Sequence, residues 1–174
     1  SSSGAAITGG NFNVTVGYEA GDNITNGSDN VAVGRMSLNV TSGSNTVGVG
    51  YFAGGLSSSS NATYLGTQAG RANQNDGHTS IGYQAGYSQT SGIRNTNVGY
   101  KAGYTSTSNG SITNIGYEAG FLNTNTGTTN VGAQAGYGLN GGYNTTLGYR
   151  AGYKDGLAQS GQYSVYIGAL AAYD

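Results

Sequence analysis

The sequence predicts an all-β chain: a parallel β-solenoid, or β-roll, of about ten coils with 16–17 residues and two short strands per coil, forming a single repeat domain over residues 1–174. Three observations predict it. A glycine-anchored unit recurs along nearly the whole chain; β-branched and aliphatic residues alternate with a more variable position just ahead of each anchor; and 34 glycines are accompanied by no proline.

The repeat is read from strings such as LGTQAG, IGYQAG, VGYKAG, IGYEAG, VGAQAG and LGYRAG, which share one frame. Aligned on the first glycine, the anchors are Gly17, Gly34, Gly50, Gly66, Gly82, Gly99, Gly116, Gly132, Gly148 and Gly168, at steps of 17, 16, 16, 16, 17, 17, 16, 16 and 20 residues. A unit of this length is too short for a helical hairpin repeat and carries no helix-period apolar stripe. It suits one coil, and stacking at about 4.8 Å would make ten coils a rod on the order of 50 Å long. The absence of proline fits, because nearly every strand in a stack is central and needs its N–H.

The columns of the alignment supply the elements. The residue before each anchor is always aliphatic: Val16, Val33, Val49, Leu65, Ile81, Val98, Ile115, Val131, Leu147 and Ile167. Two residues earlier stands Val14, Val31, Val47, Thr63, Thr79, Thr96, Thr113, Thr129, Thr145 or Val165. Alternation places every second residue of a strand on one face, so these two columns are expected to point inward as the core, with the variable position between them pointing out. Three residues after the anchor comes a small residue, from Ala20 to Ala171, expected inward where the section is narrow. A glycine usually follows it, at a turn of positive φ. The remaining residues of each unit are turn-forming and absorb the variation in length.

Two aromatic columns accompany the repeat. One follows the anchor directly: Tyr18, Tyr51, Tyr83, Tyr100, Tyr117 and Tyr149. The other lies five residues after it: Tyr87, Tyr104, Phe121, Tyr137, Tyr153 and Tyr173. Stacked one coil apart they would form ladders, each pair worth about 0.5–1.5 kcal/mol beyond area burial. Such ladders would stiffen the rod or pack a subunit interface; alternatively, exposed rings would offer a platform for sugars. A core of two thin columns leaves little margin against backbone entropy of about 1–2 kcal/mol per residue, so further burial between chains is expected.

Composition narrows the function classes. Only six Lys and Arg are present and the formal charge is −1, so no basic stripe exists to neutralise the phosphates of a nucleic acid. No apolar stretch is long enough for a transmembrane helix, and membrane insertion is not expected. The absence of cysteine removes disulfides and thiolate metal sites. Abundant Asn, Thr, Ser and Gly with few Lys and Glu suits an extracellular or virion surface better than the cytosol.

Chemistry-bearing constellations are sparse, and no enzyme, cofactor or metal site is expected. Seven acidic residues occur: Glu19, Asp22, Asp29, Asp76, Glu118, Asp155 and Asp174. Glu19 and Glu118 share a column but lie six coils apart, roughly 29 Å at the usual strand spacing, too far for paired carboxylate catalysis. Lys101 and Glu118 occupy one column in adjacent coils, which predicts a surface ion pair worth about 0–1 kcal/mol. His78, the lone histidine, has no cysteine or carboxylate at ligand spacing. Seven N-x-S/T sequons, at Asn13, Asn23, Asn26, Asn39, Asn61, Asn109 and Asn144, matter only in a secretory pathway that glycosylates.

Units such as NTNVGYKAGY and TNIGYEAGF resemble repeats of bacteriophage tail fibres and are similar to the head repeats of trimeric autotransporter adhesins. The resemblance spans about Asn13 to Ala172 and implies a trimeric, fibrous, host-facing structural element. Here a glycine replaces the leucine usual after the alanine. The terminal unit YSVYIGALAAYD carries no polar cap, which suits a fragment of a longer fibre or a subunit that joins its neighbours end to end. The leading expectation is therefore a structural fibre segment of a phage tail or cell-surface appendage, a homo-oligomer presenting a surface for receptor or glycan attachment. A self-assembling extracellular filament is the first alternative and an ice-binding solenoid the second. Ice binding needs a flat outward Thr face; threonines that share the core's phase weigh against it, and an inverted phase would weigh for it.

Overall fold

In the computed structural model the chain is a stack of short parallel strands, with residues 3–5, 7–41, 43–105, 110–154 and 162–173 described. Each coil contributes one three-residue strand just before its anchor glycine: β1 (Val14–Val16), β3 (Val31–Val33), β5 (Val47–Val49), β6 (Thr63–Leu65), β7 (Thr79–Ile81), β8 (Thr96–Val98), β9 (Thr113–Ile115), β10 (Thr129–Val131), β11 (Thr145–Leu147) and β12 (Val165–Ile167). They form one ten-stranded parallel sheet in sequence order, in the register the columns predict: Thr96 pairs with Thr113 and Val98 with Ile115. The fold is the predicted β-solenoid. A second ladder is regular enough to be a strand only early in the chain, where β2 (Asn23–Ile24) pairs with β4 (Val40–Thr41); an isolated bridge joins Ser88 and Thr105 farther along.

The turn after each strand is built from left-handed corners. The anchor glycines take φ of 119–135°, and the glycines four residues after them, such as Gly70 and Gly103, take φ of 57°. At Gly17 a methyl group would also meet the carbonyl oxygen of Gly34 at 2.7 Å, so the column is closed to side chains by the next coil as well as by its dihedral. Between the two glycines a non-glycine residue adopts φ near 50–57°: Gln84, Lys101, Glu118, Gln134 and Arg150 all do. The small column lies where expected: Ala20, Ser37, Ala53, Ala69, Ala85, Ala102, Ala119, Ala135 and Ala151 are fully buried.

The strand phase is the reverse of the sequence expectation. The middle residue of each strand points into the lumen: Ala32, Tyr64, Ser80, Asn97, Asn114, Asn130 and Thr146 are all fully buried. The expected core column lies outside, with Val16 at 56%, Leu65 at 45%, Ile115 at 40%, Leu147 at 46% and Ile167 at 66% exposure; Val33, Val49, Ile81, Val98 and Val131 are half-buried. Because the side-chain period of a strand is two, a shift of one residue exchanges the faces completely. From Asn97 to Asn130 the lumen accepts amides because successive coils bring the same group to the same place. The Asn114 carboxamide then finds both its partners in its own column, which offsets the cost of desolvating it.

Candidate functional site

Three surfaces could carry function: the lumen, the outward face of the ten-stranded sheet, and the aromatic ladders.

The lumen changes character along the rod. Leu38, Ala53, Ala62, Tyr64 and Ala69 form an apolar cluster. The ring of Tyr64 fills the section, packed beneath Gly54 and Gly70, and its hydroxyl hydrogen-bonds Ser57 Oγ at 3.1 Å; burial raises the phenol above its ordinary pKa. Farther along, Asn114 Nδ2 donates to Asn97 Oδ1 at 2.9 Å, Asn130 Nδ2 to Asn114 Oδ1 at 2.8 Å, and Thr146 Oγ1 to Asn130 Oδ1 at 2.8 Å. This amide ladder lay hidden in the column read as outward.

The outward sheet face carries two parallel ranks. One is Val14, Val31 and Val47, continuing as Thr63, Thr79, Thr96, Thr113, Thr129 and Thr145 and ending at Val165; the other is the aliphatic column from Val16 to Ile167. Successive members sit at neighbouring strand positions in an unbroken parallel sheet. Branched apolar side chains and threonine methyls therefore tile one continuous strip.

The aromatic columns stack as expected, with differences in extent. Tyr87, Tyr104, Phe121, Tyr137, Tyr153 and Tyr173 form an uninterrupted series with ring centroids 5.0–5.2 Å apart and interplanar angles of 4–22°. Arg71 extends it by one coil, its guanidinium 5.3 Å from the Tyr87 ring centroid and 5.0 Å from that of Phe52. In the first column only Tyr83, Tyr100 and Tyr117 stack on one another, at 5.2 and 5.4 Å. Arg35 takes the ring's place between Tyr18 and Tyr51, and Tyr149 instead meets Arg150. Tyr143 and Tyr163 form a further stacked pair that the column reading missed; both are two residues ahead of a strand, a position with no aromatic pattern. Ring faces inside the ladders are covered by neighbouring rings, so the solvent meets edges and hydroxyls. Face-on sugar stacking is left to the ladder ends.

The predicted Lys101–Glu118 pair is replaced by other contacts. Lys101 Nζ lies 5.4 Å from the Tyr100 ring centroid and 5.6 Å from that of Tyr104, while Glu118 Oε2 accepts from Gln134 Nε2 at 2.9 Å. Left-handed backbone at both residues turns these side chains along the turn, where rings and amides reach them first. Glu118 also raises the pKa of the neighbouring Tyr117 hydroxyl by its charge. His78 is buried in the lumen, and burial lowers its pKa to about 4, so the ring is neutral at physiological pH. Among the described residues no group of three His, Cys, Asp or Glu side chains could hold a metal ion, and no helix is long and apolar enough to cross a membrane. Asp155, Asp174 and the sequon at Asn109 lie outside the described residues. No family model, curated protein or solved structure matches the chain.

Proposed function

We propose that the chain is a structural, non-enzymatic fibre segment of a phage tail or cell-surface appendage that works outside the cell as a homo-oligomer and presents a host-facing surface. The observation that carries this reading is the strip of aliphatic and β-branched side chains on the outward face of the sheet. Contiguous apolar strips of this length mark association surfaces rather than solvated ones. A second copy presenting the same strip would complete the burial that a narrow, half-polar lumen does not provide. The ladders then serve as stiffeners, and any receptor glycan would meet their hydroxyl edges or their ends.

Light scattering on a sizing column tests this reading. The expected result is a discrete oligomer, a trimer by the fibre resemblance, that dissociates in a Val98→Lys/Ile115→Lys double variant of unchanged circular dichroism. A wild-type monomer overturns it. The inverted phase also favours the ice-binding reading, because six consecutive threonines, Thr63 to Thr145, now lie on the outward face at strand spacing. Thermal hysteresis from a monomer would select ice binding; an oligomer without hysteresis selects the fibre.

A further inference from the structure

Eight buried side-chain polar atoms make no protein hydrogen bond of ordinary geometry among the described residues, and all lie between residues 73 and 97: both polar atoms of the Asn73 amide, which faces the Tyr64 hydroxyl, both ring nitrogens of His78, which faces the Gly92 backbone, Ser80 Oγ, both polar atoms of the Gln89 amide, and Asn97 Nδ2. Their clustering is the informative point. Partnerless buried polar groups are individually rare because each costs about 1–3 kcal/mol. Here they are confined to the lumen of adjacent coils, on one side of which Tyr64 fills the section and on the other of which the amide ladder begins.

Three of the groups converge. A methyl group on Gly86 would touch Ser80 Oγ, Asn97 Nδ2 and Gln89 Oε1 together, the last at 3.3 Å, so these three polar atoms surround one region of the lumen. Ser80 occupies the ladder column in register with Asn97, yet its side chain is too short to accept from Asn97 Nδ2. The ladder's donor end is thus left open toward Ser80.

We propose that the lumen between Asn73 and Asn97 is an internal hydration site in which ordered water molecules bridge Asn73, His78, Ser80, Gln89 and Asn97. Chemistry selects water over an ion. The lining offers neutral donors and acceptors in mixture, where a cation would need converging oxygens and an anion converging donors. His78 adds no charge, since burial keeps its ring neutral. A water makes two to four hydrogen bonds, which matches the mixed set of Ser80 Oγ, Gln89 Oε1 and Asn97 Nδ2 beside Gly86. The site links the apolar plug to the amide ladder and continues the ladder's hydrogen bonding through solvent.

A crystal structure of the full chain at a resolution that places waters tests the proposal. The expected result is solvent density bonded to at least three of the five side chains, at ordinary water distances. In Ser80→Asn the new amide should accept from Asn97 Nδ2, displace the adjacent density and raise the thermal midpoint by a few degrees. A lumen without density, its side chains rotated to bond one another, overturns the proposal. A midpoint that falls when sodium is replaced by tetramethylammonium at constant ionic strength also overturns it, because the occupant would then be a cation.

Discussion

Coils before and after Ser80 place different chemistry in the lumen column. Ahead of it, Leu38, Tyr64 and the alanines pack by apolar contact, and the Tyr64 hydroxyl is tied to Ser57. Beyond it, three hydrogen bonds link Thr146, Asn130, Asn114 and Asn97 in a single file along the axis. The apolar half is stabilised by area and packing, which tolerate adjustment of shape. The amide half is stabilised by direction, which tolerates none: Asn114 and Asn130 each donate to one fixed neighbour and accept from the other. A repeat fold thus constrains its turns tightly and its interior loosely, provided that each interior column is consistent with itself.

The difference can be tested from each side. Tyr64→Ala should cost the most, about 3–5 kcal/mol for an emptied aromatic site. Because coils contact only their neighbours, hydrogen exchange should accelerate around β5–β7 and leave β9–β11 protected. Asn114→Ala is next. It orphans Asn97 Oδ1 and Asn130 Nδ2 at once, for about 2–4 kcal/mol, and should unprotect β8–β10 while the Tyr64 region holds. Equal loosening of both halves by either variant would show that the lumen behaves as one body.

The boundary between the halves should respond to pH. His78 has a folded pKa of about 4 against an ordinary 6.5, so the unfolded chain binds the proton first. Its contribution is complete above pH 6.5 and is lost as pH falls from there toward 4, at up to about 3 kcal/mol. Thermal midpoints measured across that window should fall for the wild type and stay level for His78→Gln. The smallest expected effect lies outside the lumen: Tyr104→Ala breaks two stacked contacts for about 1–3 kcal/mol and should lower the midpoint without shifting the balance between the halves.

Spacing made the solenoid, its register, the positive-φ glycines and the aromatic stacks legible in the sequence, because each is a statement about which residues recur one coil apart. Phase was not legible by the same means. Val16 to Ile167 looked like a core because they are aliphatic, and Asn97, Asn114 and Asn130 looked like surface because they are polar. That rule prices a buried amide as if it were alone. In a stack it is not alone, and three asparagines at identical positions in successive coils are the pattern that signals an internal ladder. The arginines at positions 35 and 71 were equally readable, since each stands in an aromatic column where a planar cation can replace a ring. Tyr143 and Tyr163 were harder to see: a pair one coil apart, at a step of 20 residues, forms no column.

The amides of the ladder all point the same way, each donating to the residue one coil nearer the N-terminus. Turning one carboxamide over would set two donors face to face on one side and two acceptors on the other, so a lone reversal is penalised twice. The row therefore behaves like a line of coupled magnets with two collective orientations rather than many independent ones. Adjacent backbone bonds alternate in direction between coils and largely cancel, as Val47 N donating forward to Ala62 and Gly50 N donating backward to Val33 illustrate. The side-chain row does not cancel, which gives the rod an electrical head and tail written along its axis by uncharged residues.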